Sequence, residues 1–169
     1  ISSLYLVLTL ILKGVSYQKF TKELAEQKIS YKTINTKPTP LNTILWTANV
    51  ETENSYLIGN SSFFDEYPIQ FSEYPKNHYL LGDLAKHPKT KRMIAISKGW
   101  YTINKKNNNL YFNDLRFGVL SIQPNATNFV FKYKIEVAAN GTPFFIEEPK
   151  EKSDGKKLLL DLWERIKGN

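Results

Sequence analysis

The sequence lacks the residue types on which several kinds of site depend. None of its 169 residues is cysteine, which excludes disulfides and thiolate metal sites. The only histidines, His78 and His87, lie apart without an HExxH or comparable arrangement, whereas a catalytic zinc commonly takes about three convergent protein ligands. GxSxG and phosphate-binding glycine motifs are also missing. The sequence therefore shows no recognisable catalytic residue, no metal ligand and no cofactor site of its own.

Positive charge is abundant but dispersed. The chain has 23 Lys and Arg against 16 Asp and Glu, a formal charge of +7. Such an excess fits nucleic acid, anionic lipid or a solvated lysine-rich surface. Because lysines occur in every segment, we favour the solvated surface and argue against nucleic acid. The densest basic run, 86–92, could bind an anionic lipid or a small anionic ligand, although a solvated first helical turn is the preferred interpretation.

The first 12 residues, ISSLYLVLTLIL, carry no charge and are apolar on all sides of a helix. They are too few for the roughly 20 residues of a membrane span, and they lack the basic start of a signal peptide. We interpret residues 1–29 as the end of a transmembrane helix followed by an amphipathic stalk, with an amphipathic or buried soluble helix as the alternative for the apolar run. This predicts a bacterial inner-membrane location and a membrane partner for the N-terminal helix. Lysines after the run weakly favour the cytoplasmic side.

The predicted core is centred on residues 37–60. Pro38 and Pro40 impose an extended entry, and a polar turn at 51–55 separates two apolar segments. Alternation places every second residue of the first segment on one face: Ile44, Trp46, Ala48 and Val50. The pattern predicts a β-hairpin with one buried face, built on Trp46.

Further strands are predicted over residues 100–103, 110–113, 129–137 and 144–146. Two short helices precede them, and a helix over residues 156–167, capped by Ser153 or Asp154, ends the chain. No regular βαβ alternation occurs. The sequence therefore predicts an α+β fold: a mostly antiparallel sheet, a long N-terminal helix, two short middle helices and a C-terminal helix on the sheet. Residues 30–169 are expected to form the soluble domain.

The short motif Asp114-Leu115-Arg116 is the strongest candidate for binding chemistry. On a strand both charged side chains point to the same face, and an arginine fork suits a carboxylate or phosphate ligand. Two interpretations stay open: a structural ion pair, which we favour, at a sheet edge beside Trp46, and a ligand pocket lined by Trp46, Trp100 and Arg116.

Three stretches together resemble a known family. They are Pro38-Thr39-Pro40-Leu41-Asn42-Thr43-Ile44-Leu45-Trp46, Lys98-Gly99-Trp100-Tyr101 and Leu110-Tyr111-Phe112-Asn113-Asp114-Leu115-Arg116-Phe117-Gly118. Their order is similar to the C-terminal region of the predicted membrane-bound metal-dependent hydrolases, a bacterial inner-membrane family with LexA-regulated members. The resemblance covers roughly residues 1–137. It implies a catalytic site, with any divalent metal, in an upstream membrane-embedded part, and no catalytic residue carries over to this chain.

Two functions are consistent with these observations. The first is a soluble accessory or regulatory domain of such a hydrolase, which controls the enzyme or gathers its substrate. The alternative is a non-enzymatic ligand- or partner-binding module on a membrane anchor.

Overall fold

The computed structural model describes residues 2–40, 42–121, 123–149 and 155–168. It is an α+β protein, as predicted, with its strands divided between two four-stranded antiparallel sheets, ordered β1-β2-β3-β4 and β5-β6-β7-β8. The elements are α1 (Ser2–Glu26), β1 (Thr33–Pro38), β2 (Leu45–Glu51), β3 (Ser55–Ser62), β4 (Phe71–Pro75), a 3-10 helix (His78–Lys86), α2 (Pro88–Ile96), β5 (Tyr101–Lys106), β6 (Asn109–Val119), β7 (Phe129–Val137), β8 (Pro143–Glu147) and α3 (Gly155–Ile166).

The chain forms two compact units. The first unit consists of Ile1–Tyr74 together with Asp154–Asn169, and it contains α1, the first sheet and α3. The second unit, Pro75–Ser153, contains the 3-10 helix, α2 and the second sheet. The first unit is thus assembled from two separate stretches of the sequence.

Helix α1 corrects the prediction of cellular location. It is 25 residues long, but its apolar part ends at Leu12, and Lys13, Lys19 and Lys22 follow within the same helix. No helix in the described part of the chain is long and apolar enough to cross a membrane. The predicted inner-membrane location, which rested on reading α1 as part of a transmembrane helix, is therefore wrong.

The second half of α1 packs on the first sheet. Phe20 and Leu24, one turn apart, are fully buried and join the cluster formed by Trp46, Ala48 and Val50 of β2. Burying a large apolar side chain stabilises the fold by about 1.5–3 kcal/mol. The helix ends at Glu26, and two residues later Lys28 takes a left-handed conformation at φ 57°. The Lys28 N–H donates to Ala25 O and the Ile29 N–H donates to Leu24 O, which is the Schellman pattern of helix ends.

The predicted hairpin on Trp46 is confirmed as β2 and β3. Trp46 pairs with Ser61 and Glu51 with Tyr56, and the turn is closed by Thr52 N–H donating to Ser55 O. The structure differs in one respect, because both faces of this hairpin are buried. Leu45 and Asn49 lie on the face expected to be exposed, yet they are buried too. Alternation in the sequence did not reveal this, since Asn49 and Thr47 are polar.

Two turns with positive φ shape the second sheet. Asn107 and Asn108 both have positive φ in the β5–β6 connection, as a two-residue hairpin turn requires. Gly141 has φ 81° in the predicted Asn140-Gly141 turn between β7 and β8. The hydrophobic core of the second unit contains Leu81, Ile103 and Ile135. It also contains an aromatic stack from His78 through Tyr101 to Phe112, with distances between ring centroids of 4.0 and 4.6 Å.

Helix α3 belongs to the first unit, and the last turn of the helix binds to the turn that follows β3. Arg165 Nη1 and Nη2 donate to the two carboxylate oxygens of Asp65, the latter at 2.6 Å, and Nη2 also donates to Asn60 O. Ser62 Oγ donates to Ile166 O at 2.6 Å. Gly168 follows at φ 92°, where a Cβ would come within 2.8 Å of Phe64 O.

The predicted apolar stripe of α3 is only partly buried. Ile166 is buried and Leu162 half-buried, whereas Leu159 and Trp163 are exposed. The proposed capping residues, Ser153 and Asp154, lie outside the described residues.

Asp65 holds its charge because of these contacts. Burial by itself raises the pKa of a carboxyl group, but hydrogen bonds from Arg165 and from Ser62 N–H, and the charges of Arg165 and Lys19, lower the pKa of Asp65 below its ordinary value. The ionised form therefore stabilises the folded state. That stabilisation is present above the unfolded pKa of about 3.9 and is lost as pH falls through the lower folded pKa.

We predict that Arg165→Ala lowers the free energy of unfolding by about 2–3 kcal/mol at pH 7, between the values for buried and exposed pairs. The Asp65 side chain is 9% exposed and would lose its partner. Chemical denaturation at several pH values measures the effect. Because Asp65 is neutral in acid, the difference from the wild type should shrink below about pH 4.

The matched control is Lys22→Ala, which removes a Lys22–Glu26 ion pair on the exposed side of α1. It should leave stability unchanged within error, since exposed pairs contribute little. If the two variants lowered the free energy of unfolding equally, the Asp65–Arg165 pair would not be what holds α3 in the first unit.

Candidate functional site

The predicted Asp114–Arg116 motif lies in a large bulge between β6 and β7. Asp114 pairs with Phe131 and Val119 with Phe129, so four residues of β6 lie opposite a single residue of β7. Gly118, at φ 72°, provides the left-handed conformation inside this bulge. Bulges re-aim side chains relative to the regular strand. Here the bulge leaves Leu115 buried and Phe117 exposed.

Asp114 and Arg116 form a close ion pair. Arg116 Nε donates to both Asp114 oxygens, at 3.1 and 3.0 Å, and Nη2 donates to Oδ2 at 2.6 Å. Arg116 N–H also donates to Asp114 Oδ1 at 3.0 Å. The Asp114 side chain is 5% exposed and that of Arg116 is 27% exposed. The pair is therefore mostly shielded from solvent, with its cationic member on the outer side.

This geometry determines what Arg116 offers to a ligand. The hydrogen bond to Asp114 is the main reason why the pKa of Arg116 is raised above its ordinary value. Because Asp114 takes the edge of the guanidinium that carries Nε and Nη2, that edge is already occupied by a carboxylate. A ligand carboxylate or phosphate would have to displace Asp114 to use it.

Tyr133 and Trp100 belong to the same region of the second unit. Burial raises the pKa of Tyr133, the charges of Glu147 and Asp114 raise it further, and the charge of Arg116 lowers it. Trp100 O accepts a hydrogen bond from Leu115 N–H, which places Trp100 next to the Asp114–Arg116 segment. The structure thus brings three of the four predicted site residues together.

Trp46, the fourth predicted site residue, belongs to the first unit. It is 3% exposed and packs with Phe20 and Leu24 of α1. Its indole N–H donates to Thr43 O at 2.9 Å. Trp46 therefore serves the core of the first unit and has its only polar group satisfied there.

The two histidines have structural contacts. His78 stacks on Tyr101, and its Nε2 lies 2.8 Å from Tyr101 O. His87 caps α2, because its Nδ1 accepts a hydrogen bond from Lys89 N–H at 3.2 Å. In the part of the chain that the structure describes, no group of three or more His, Cys, Asp or Glu residues could hold a metal ion.

The predicted basic run lies around the start of α2. Lys89 Nζ lies 3.7 Å from the centroid of the Phe144 ring on β8, and Lys86 pairs with Asp83. Thr90 is buried, so that Lys91 and Arg92 take the exposed side of the helix. The side chains of Lys91 and Arg92 are therefore exposed to solvent on a short helix whose opposite side, at Thr90, is buried.

Charge is divided unequally between the units, which the sequence analysis missed. Residues 75–153 contain 13 of the 23 Lys and Arg residues but only six of the 16 Asp and Glu residues. The second unit therefore carries the entire formal charge of +7, and the first unit, with ten residues of each sign, is neutral. A charge count needs these unit boundaries, and they come from tertiary contacts.

Comparison with protein-family models, with curated proteins and with solved structures finds no match for this chain.

We predict that Arg116→Ala lowers the melting temperature by several degrees. The substitution leaves the Asp114 carboxylate buried without its main partner, a loss we place at about 2–3 kcal/mol, because Arg116 is partly exposed. Differential scanning calorimetry measures the shift.

The control is the double variant Asp114→Asn with Arg116→Ala. Removing both charges should destabilise less than removing Arg116 alone, since no unpaired carboxylate remains. Unchanged stability in Arg116→Ala, combined with loss of binding to a phosphate or carboxylate ligand, would assign Arg116 to a binding site and contradict the structural role.

Proposed function

We propose that this chain is an accessory portion of a metal-dependent hydrolase, that it gathers anionic substrate, and that catalysis takes place elsewhere in the enzyme. The observation that carries the proposal is the concentration of charge in the second unit. A net charge of +7 on 79 residues produces a positive potential that raises the local concentration of anions and speeds their encounter.

The exposed cations of the second unit would attract the anionic substrate. Lys91 and Arg92 lie on the exposed side of α2, and Lys105 and Lys106 are exposed at the end of the β5–β6 hairpin. Surface charges act over a screening length of about 8–10 Å at physiological salt. Such cations attract a phosphate ester or carboxylate without the fixed geometry that catalysis requires.

The hydrolase connection rests on the three stretches of family resemblance. In this fold they supply structural parts: Trp46 the first core, Tyr101 the aromatic stack, and Asp114–Arg116 the bulge of the second sheet. A structural scaffold is what an accessory portion would contribute.

We predict that the isolated chain binds inorganic tripolyphosphate and that affinity falls as salt rises, because the attraction is electrostatic. Charge reversal of Lys91→Glu with Arg92→Glu should weaken binding at least tenfold by titration calorimetry. The matched variant, Lys22→Glu with Lys28→Glu in the neutral first unit, changes net charge equally and should weaken it less than threefold.

The accessory role is tested separately from anion binding. Incubated with zinc or manganese, the chain should leave a panel of carboxylic and phosphoric esters unhydrolysed. Metal-dependent turnover that survives repurification would refute the accessory role. Equal weakening by the two matched variants would refute the assignment of anion binding to the second unit.

A further inference from the structure

The first half of α1 exposes apolar side chains in every direction. Eight apolar side chains between residues 5 and 17 are 45% to 69% exposed, whereas Leu12 is half-buried against the core; the eight are Tyr5, Leu6, Val7, Leu8, Leu10, Ile11, Val15 and Tyr17. Successive residues of a helix are turned by about 100°, so this set surrounds the axis. Folded monomers rarely expose continuous apolar surface of more than a few hundred Å². One neighbouring helix could cover only one side of this segment.

Helix α3 exposes a second apolar surface in the same unit. Leu159, Leu160 and Trp163 are 55–57% exposed. The last turn of α3 is firmly held by the Asp65–Arg165 pair and by Ser62, so the exposed side chains stand on a docked helix. Their exposure is therefore compatible with a stable first unit.

The two apolar surfaces begin close to one point. Lys19 of α1 donates to Ser62 O at 2.8 Å, and Ser62 Oγ donates to Ile166 O of α3. Val15 lies one turn before Lys19, about 6 Å along the helix, and Trp163 lies about 4.5 Å before Ile166. Both helices thus pass Ser62, and their apolar stretches start within about one turn of it.

The exposed area is sufficient for a stable protein interface. Eleven side chains that are about half exposed present on the order of 1,000 Å² of surface. A standard interface buries about 800 Å² on each partner.

The charge of the first unit does not oppose its contact with the same unit of a second copy. Residues 2–12 carry no charge, and the first unit is neutral overall, with ten positive and ten negative residues. Two copies of this unit can therefore approach each other without net repulsion.

We propose that α1 and α3 form the interface of a homodimer, in which two copies of each helix enclose one shared apolar core. Four helices provide several neighbours for each α1, as its apolar circumference requires. A two-fold axis makes the contact closed, so that association stops at the dimer. This inference does not depend on the hydrolase proposal.

The test is the mass of the full chain in detergent-free buffer, measured by sedimentation velocity from about 1 to 200 µM, a range that reaches the affinity of weak standard interfaces. The wild type should be a dimer of the 19.6 kDa chain. Leu10→Glu and Trp163→Glu, made separately, should each raise the dissociation constant at least tenfold. The control Tyr67→Glu, which changes an exposed aromatic residue outside the helices of the first unit, should leave it unchanged.

Oxidative cross-linking keeps the test independent of how well the glutamate variants fold. Because the chain has no cysteine, single variants Tyr5→Cys, Leu6→Cys, Leu8→Cys, Leu10→Cys and Ile11→Cys report only on themselves. These positions surround α1, so those that lie beside the two-fold axis of the dimer should give a covalent dimer, whereas Tyr67→Cys should not.

Four results would overturn the proposal. They are a monomeric wild type throughout the concentration range, dimers that both glutamate variants leave intact, assemblies that keep growing with concentration, and a monomer that binds neutral phosphatidylcholine vesicles through α1.

Discussion

The first unit depends on the contact between the Ser62–Asp65 turn and the last turn of α3. Asp65 and Arg165 are 100 residues apart in the sequence, so the ion pair joins the two stretches that make up this unit. Lys19 of α1 reaches the same turn. Because Ile166 is the one hydrophobic side chain of α3 that is buried among those described, directional polar contacts fix where the helix docks. The apolar side chains that remain exposed are a consequence of that geometry.

The second unit is organised in a different way. It is one continuous stretch of the chain, Pro75–Ser153, whereas the first unit requires the return of α3. In both sheets each strand pairs with the next along the chain. The regular pairing of strands β6 and β7 is interrupted by the bulge that contains Asp114 and Arg116. The ion pair satisfies a buried carboxylate where the β6–β7 ladder is interrupted, which explains a charged motif inside a sheet without assigning it catalytic chemistry. Most of the second unit's other described cations are exposed to solvent, and they give this unit its electrostatic character.

Short-range patterns were therefore sufficient for much of the fold. The hairpin of β2 and β3, the turn at Gly141 and the helix beginning at Pro88 each follow from residues within a few positions of one another. Of the candidate site, the pairing of Asp114 with Arg116 was predictable because alternate strand residues share a face. The placement of Trp46 in one unit and Trp100 in the other was not, since both are aromatic residues on strand-like segments. The apolar start of α1 misled the prediction of location, because the length of an apolar run does not reveal what surrounds it.

The sequence by itself determined the α+β class, the order of the elements apart from β1 and β4, the absence of cysteine chemistry and the total charge. Tertiary structure alone decided that the strands form two sheets, that both faces of the first hairpin are buried, and that α3 rejoins the first unit. It also decided that the second unit holds the whole net charge. The physical reason is range: turn conformation, alternation and helix capping act over a few residues, whereas burial, ion pairing and the boundary of a compact unit depend on segments that meet only when the chain has folded.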